Sequence, residues 1–440
     1  MNKFIYKIKN YCSLDKGQNK IEYILTIALK RVYNLVKEIL AFLNLIKLRL
    51  KKREQREKIT VVFLYQMPEL WNKMKSVCEE LNNRCDIDVI ILTIPKINID
   101  DGSYLENEAL EAIRGTNYKI INAIKGENKW IDLKEINPDY VFYQRPYDEY
   151  LPEEYKSYNV IKYAKTCYIP YGWVMTTNLQ ECCFNREFFR NLYMYFAENE
   201  EAYNIVKNQS NISDYLGIKR VLSLGCPSLE LVYKIRGTKS YSWKREREND
   251  KLRIMWTPRW TIDPNLCASN FFQYKDKFIE YAELNREKYI LFRPHPLAFD
   301  NYLKCGLMTK DEIDMYLDKI DRLENISLDN EKDYLNTFWE SDILVTDISA
   351  IIVEYFITGK PIIYCDNGTA PLDNITTKMS EGFYWVKNWD EIEETIRNIE
   401  SGNDILFNRR QELIKELFDK NTINSTVKIT ESIINDYRNQ

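Results

Sequence analysis

One histidine, His295, occurs in the 440 residues, within Leu291-Phe292-Arg293-Pro294-His295-Pro296 and directly after an apolar, β-like run. Its flanking prolines fix φ and need no backbone donor, so they hold the turn open. Arg293 brings a planar five-donor fork suited to phosphate. His295 has an ordinary pKa near neutrality and can therefore move a proton or carry a switchable charge. A second candidate lies at Ser341-Asp342-Ile343-Leu344-Val345-Thr346-Asp347-Ile348-Ser349-Ala350, followed by Ile351 to Phe356. This pattern reads as a strand ending at Thr346 and a helix starting near Ser349. Asp347 or Ser349 is expected to cap that helix. Free N–H groups and the positive helix end also suit an anion. Thr346 and Ser349 would donate to a diphosphate, and Glu354, about one and a half turns on, would accept from ribose hydroxyls. Arg259 is a further candidate phosphate contact.

Other chemistries find little support. Neither a Walker A nor a GxGxxG motif is present, so ATP hydrolysis and NAD binding lack a basis. Asp86-Ile87-Asp88 has the form of a metal-binding DxD but leads into an apolar run and reads as a strand edge. The 10 cysteines are scattered without a CxxC pair. With a single histidine, a Cys/His zinc site has no support, and reduced cytosolic thiols are the simple expectation. The neighbouring Cys182 and Cys183 are expected in the core. No metal site is assigned and no cofactor is expected, with divalent-metal dependence left open.

The elements that must position these residues follow from apolar runs. Ile59–Leu64, Val89–Leu92, Asp139–Tyr143, Thr166–Ile169 and Val221–Gly225 read as buried parallel strands, with helical patterns between them. They make a first Rossmann-like domain over 58–235. A charged stretch, 236–251, reads as a linker. A second set, Arg253–Thr257, Tyr289–Phe292, Ile343–Thr346 and Pro361–Tyr364, makes a second domain over 252–440. The expected class is α/β, with two Rossmann-like halves facing a central cleft.

Residues 1–57 form a basic helical extension. Ile21 to Arg53 reads as one helix with a wide apolar face, followed by basic residues from Lys47 to Arg56. Its uncharged runs are too short to cross a bilayer. Burial in the core, a partner helix and an anionic membrane surface are the three readings of that face, and the basic flank favours the membrane. The segment is expected to serve attachment rather than the fold. Net charge is −4 overall, so the remainder is acidic and a nucleic-acid partner is not expected. No secretory signal is expected.

Taken together, Arg293-Pro294-His295-Pro296, the 342–350 block with Lys360-Pro361-Ile362-Ile363, Trp256-Thr257-Pro258-Arg259-Trp260 and Leu224-Gly225-Cys226-Pro227-Ser228 resemble the CDP-glycerol glycerophosphotransferase family of teichoic-acid and capsule synthesis. The resemblance covers most of 58–390 and is most specific in the C-terminal half. It implies a GT-B fold and a CDP-activated donor. Arg293 and a protonated His295 would face the diphosphate, with Arg259, Thr346, Asp347, Ser349 and Glu354 around the donor. Family polymerases carry a His-Gly motif in the first half, whose histidine serves as base. Here the matching segment is Pro170-Tyr171-Gly172, with Tyr171 in place of histidine. Tyrosine is a poor base at neutral pH. Tyr171 would position the acceptor, with His295, Asp148 or the substrate supplying the base. Gln144, Arg145, Tyr147 and Gly172 are the remaining acceptor-side candidates.

The implied reaction moves a phospho-alditol, foremost glycerol phosphate from CDP-glycerol, to a hydroxyl of a lipid-linked or glycan acceptor, releasing CMP. The implied location is the cytoplasmic face of the membrane, by peripheral attachment. A nucleotide-sugar glycosyltransferase of the same fold is the alternative, and a catalytically silent scaffold for cell-wall assembly the second.

Overall fold

The computed structural model describes residues 20–51, 58–98, 102–126, 129–238, 242–243, 251–331, 334–418 and 424–439. Residues 1–19, the basic run 52–57 and most of the charged stretch 236–251 lie outside them.

Two parallel sheets carry the molecule. The first has seven strands: β1 (Ile59–Tyr65), β2 (Ile87–Thr93), β3 (Lys119–Asn122), β4 (Tyr140–Tyr143), β5 (Lys165–Tyr168), β6 (Met194–Ala197) and β7 (Arg220–Ser223). Their order is β3-β2-β1-β4-β5-β6-β7. The second has β8 (Arg253–Thr257), β9 (Tyr289–Phe292), β10 (Ile326–Leu328), β11 (Ile343–Thr346), β12 (Ile362–Cys365) and β13 (Tyr384–Val386), in the order β10-β9-β8-β11-β12-β13. Both orders reverse beside their first strand, between β1 and β4 and between β8 and β11. In such sheets ligands bind beyond the strand ends at that reversal. Continuous apolar runs form these strands because helices cover both faces. β8, for example, is buried throughout, and its Trp256 stacks on Phe278 and Phe292 at 4.2 and 4.7 Å.

Sequence reading placed the long central strands and missed β3, β6, β10 and β13. Three of them, β3, β10 and β13, are short edge strands with partly exposed runs, whereas β6 is a fully buried run that the reading passed over. The Asp86-Ile87-Asp88 segment is a strand edge as read: Asp86 bonds Arg84, and Asp88 bonds Lys119 at 2.7 Å.

Three expectations need correction. The last helix, Ser425–Arg438, returns to the first domain, where Ile429, Ile433, Ile434 and Tyr437 join the core built on β1 and β2. The second domain therefore does not own residues 425–438. Its anchor is Asp436, whose fully buried carboxylate meets Lys165, Arg49 (3.2 Å) and Arg220 (3.5 Å), with hydroxyls of Tyr140 (2.8 Å) and Tyr193 (3.0 Å).

The N-terminal helix, Lys20–Leu50, is also partly fold. Ala41, Leu45 and Leu48 are buried, and Leu45 and Leu48 belong to the same core. Lys37 pairs with Glu187 (3.2 Å) and Arg186 with Glu38 (2.8 Å). Its outer face leaves Leu25, Val32, Leu35, Val36, Ile39 and Leu43 exposed. Third, Cys182 and Cys183 are not core: Cys182 is exposed and Cys183 half-buried, with sulfurs 3.9 Å apart. They end a short helix, Thr177–Cys183, none of whose residues is buried.

Candidate active site between the two domains

The two halves meet through loops at their strand ends. Thr177 N–H donates to Pro371 O (2.9 Å) and Asp373 N–H to Met175 O (3.0 Å), joining the domains by a strand-like bridge. Gly172 sits opposite Ala350, where a β-carbon on the glycine would stand 3.4 Å from the alanine's. The Pro170-Tyr171-Gly172 turn thus faces the β11 junction across the cleft.

On the second-domain side, His295 follows β9 in a turn opened by its prolines. Leu297 N–H donates to its Nδ1 (3.1 Å). The neutral ring therefore carries its proton on Nε2. Desolvation, then the charges of Arg259 and Arg293, push its pKa down to about 4. His295 is therefore neutral at pH 7 before a ligand binds, and the expected imidazolium would require the bound donor. An anion seated beside it offsets the arginine charges and raises that pKa. Because the chain has one histidine, a single imidazole resonance reports this directly. We expect the NMR titration midpoint to rise by more than one unit when CDP binds. By linkage, CDP should bind more tightly as pH falls between the bound and free midpoints. A midpoint unmoved by saturating CDP places the nucleotide elsewhere.

Arg293 has a different job from the one expected. It is a brace: Nη1 pairs with Asp329 (2.8 Å), Nη2 donates to Glu331 O (2.9 Å), and the guanidinium covers the Tyr334 ring at 4.5 Å. Arg259 is closer to the expectation. Its Nε and one terminal nitrogen donate to Leu266 O (2.8 Å) and Ile348 O (3.0 Å), and it pairs with no carboxylate among the described residues. Burial disfavours its charge, opposed in part by nearby Cys267 and Asp347.

Asp347 fastens that arrangement instead of touching a donor. Its buried carboxylate accepts from the N–H groups of Arg259 (3.0 Å) and Asn270 (3.1 Å), the Asn270 amide (2.8 Å) and Ser269 Oγ (3.1 Å). The Thr346 hydroxyl is consumed in bonds to Thr257 O (2.9 Å) and Asp347 O (2.8 Å). Neither residue caps the following helix, Ile351–Phe356, whose N-cap is Ala350 without a side-chain bond. The half-buried Ser349 makes no side-chain hydrogen bond among the described residues, so its hydroxyl stays available. Glu354 is not free for a ribose: it binds Lys73 of the first domain and the Tyr334 hydroxyl (2.8 Å). Its attraction outweighs the desolvation of Lys73 and holds that ammonium above its ordinary pKa. This buried pair couples the domains. Lys73 escaped sequence reading because nothing local marks it off from other surface-type lysines.

On the first-domain side, Tyr147 and Tyr171 share a hydroxyl contact of 3.1 Å, and Tyr147 also reaches Cys183. Burial pushes Tyr171 up to about 12, so it positions rather than deprotonates. Arg145 donates to Gln66 Oε1 (2.7 Å), lies 4.5 Å from the Tyr150 ring and has no carboxylate partner among the described residues. Burial disfavours its charge, with Tyr150, Tyr171 and Tyr147 nearby.

Two acceptor-side expectations fall. Gln144 is a clamp, accepting from the N–H groups of Gln66 (2.7 Å) and Met67 (2.8 Å) and donating to Met67 O (3.0 Å). Asp148 spends both carboxylate oxygens on Ser157, at 2.7 and 2.6 Å. Burial raises its pKa to about 6, yet those bonds make it a loop fastener rather than a base.

What converges is a cleft with two guanidiniums that make no ion pair among the described residues, Arg145 and Arg259, both in electrostatic reach of the Tyr171–Cys183 cluster. His295 and the Ser349 hydroxyl lie on the second-domain side, and the tyrosine pair on the first. Fixed cations of this kind suit a diphosphate and the charge that develops during its cleavage.

Residues 176–369 match the family model for CDP-Glycerol:Poly(glycerophosphate) glycerophosphotransferase. A comparison with curated protein sequences gives no match. Among solved structures, an H444N variant of the wall teichoic acid polymerase TagF matches at TM-score 0.57 and 14% identity, over 94% of this chain and 97% of that one. A second TagF H444N structure, soaked with CDPG, matches at 0.56 and 15%, over 96% and 99%. The UDP-GlcNAc 2-epimerase of Neisseria meningitidis, bound to UDP-GlcNAc, matches at 0.54 and 14%, over 87% and 100%. At these identities the structural likenesses speak for the fold, the two-domain GT-B arrangement. The match over 176–369 agrees with the family read from the motifs.

Proposed function

We propose, for a chain that residues 176–369 make a CDP-glycerol glycerophosphotransferase-like transferase, that glycerol phosphate passes from CDP-glycerol to a hydroxyl of a lipid-linked or glycan acceptor, with release of CMP. The observation that carries this reading is the pair of guanidiniums without an ion pair among the described residues, Arg145 and Arg259, flanking a cleft with one neutral imidazole. Arg259, His295 and Ser349 would hold the diphosphate, while Arg145, Tyr147, Tyr171 and Gly172 would face the acceptor. Catalysis would come from positioning and fixed charge. The product would be a teichoic-acid-like or capsular polymer. The test is CMP release from CDP-glycerol, CDP-ribitol and a panel of nucleotide sugars, each with and without glycan and lipid-linked acceptors, with a chelator arm for metal dependence. Turnover of a nucleotide sugar alone would make the protein a glycosyltransferase.

The reading includes work at the cytoplasmic membrane face. No helix among the described residues is long and apolar enough to cross a membrane. The exposed apolar face of Lys20–Leu50, with the exposed Lys47 in its last turn, supports interfacial attachment to anionic lipid. Since this helix also belongs to the core, its removal is expected to destabilise the first domain and cannot test attachment cleanly. Replacing Leu25, Val32, Val36 and Ile39 together by glutamine should leave the melting transition within a few degrees and abolish sedimentation with anionic vesicles. Vesicle binding that survives all four changes removes the helix from that role.

A further inference from the structure

We infer that Glu198 is the general base that takes the proton of the acceptor hydroxyl, an inference that rests on the glycerophosphate-transfer reading above. Glu198 follows β6 directly, at the strand end where the first sheet faces the cleft. It lines a cavity between the domains whose other walls include Gly172, Ser228, Ala350 and the Lys73–Glu354 pair. Gly172 and Ala350 mark the close approach of the two halves, so the carboxylate is placed where donor and acceptor must meet.

Three other acids near the cleft are held in place: Asp148 by Ser157, Asp347 by the Arg259 and Asn270 backbone, and Glu354 by Lys73. Glu198 makes no ion pair among the described residues and accepts from the Tyr195 hydroxyl (2.7 Å). The one lysine on its cavity is already bound to Glu354 and Tyr334. Titratable groups facing it are Tyr195 and Tyr168 from the strands beneath, Cys183 from the short helix, and Asp373 from the second domain. None supplies positive charge. Burial, reinforced by Asp373 and opposed by the Tyr195 bond, pushes its pKa up to about 7. A base poised near the operating pH combines a deprotonated population with real basicity.

The step balances without any additional reactant. The acceptor O–H proton passes to the Glu198 carboxylate. The acceptor oxygen forms a bond to the phosphorus that bears glycerol. The bond from that phosphorus to the CMP oxygen breaks, and CMP leaves with the electron pair. The proton then returns to solvent.

Glu198→Gln keeps the shape and an oxygen for Tyr195 to bond. It should lower turnover about 10²–10⁴-fold, leave CDP affinity within about twofold, and remove the acid limb of kcat/KM near pH 7. That limb belongs to the free enzyme, in which His295 titrates far lower. Turnover within threefold of wild type, or a limb that persists in the variant, overturns the assignment. Should Glu198→Gln fail to fold, Tyr195→Phe decides: it removes a bond that stabilises the carboxylate, so the limb must move to higher pH. An unmoved limb overturns the assignment. If the wild type releases no CMP from any donor with any acceptor, the transfer reading falls and the base assignment with it, a result distinct from an active wild type with an equally active variant.

Discussion

Replacing His295 by alanine is expected to lower glycerophosphate transfer about 10²–10⁴-fold, with the melting transition in place. Sparse bonding is the reason for the second half: among the described residues the ring's one side-chain hydrogen bond is from Leu297 N–H to Nδ1, and the turn is braced by Pro294 and Pro296. The first half follows from position. Nε2–H projects from a turn flanked by Arg259, and a diphosphate that raises the imidazole pKa converts it to a cation as leaving-group charge develops. A fixed donor of this kind contributes roughly 3–4 kcal/mol to the transition state. His295→Gln separates the two contributions, because it keeps a donor and loses the titration. We expect it to retain more activity than alanine while its CDP affinity loses the pH dependence predicted above. Stopped-assay CMP release beside calorimetric CDP binding measures both. An alanine variant with near-wild-type turnover ends the assignment.

Asp436→Ala should cost about 3–5 kcal/mol of stability, the largest structural effect of any single change proposed. Removing one partner of a buried ion cluster strands the others. Here Lys165 is nearly fully buried, and Arg49 and Arg220 also converge on the lost carboxylate. Three distant segments would be loosened at once: the N-terminal helix, the first sheet and the returning C-terminal helix. Urea unfolding should show the loss, and exchange protection should fall first in 425–438. Lys165 and the tyrosine hydroxyls outweigh the desolvation of Asp436 and hold its pKa below the usual carboxylate range. Its contribution is therefore present above the ordinary carboxylate pKa and lost as pH falls through the folded one. Asp436→Ala with Lys165→Met should recover part of the stability, since an apolar pair needs no counter-charge. A single variant within 1 kcal/mol of wild type would falsify the anchor.

Most of the buried β-strands were legible as continuous apolar runs. β1, β2, β8 and β9 are apolar runs that cannot be solvated on either face, so their burial is a local property of the residues. The turn around His295 was legible for the same reason, since Pro294 and Pro296 act on their own backbone whatever surrounds them. Motif order then pointed to the glycerophosphotransferase family, and the match over 176–369 agrees. The partner of each polar side chain was not legible, because it is chosen by tertiary approach. Glu354 looked like a ribose ligand until Lys73, 281 positions away, took its carboxylate. Arg293 and Asp148 carried the right chemistry for a site, but Asp329 and Ser157 stand within 3 Å and neutralise or fasten them. Glu198 passed unseen because its significance is its place on the cavity between the domains without a paired cation, and neither is written in the chain order. Sequence by itself determined which segments must be buried and which loops stay open, through solvation and backbone stereochemistry. Only the tertiary structure decided which charges are answered and which are left facing the cleft, because Coulomb energy depends on distances that the chain order does not contain.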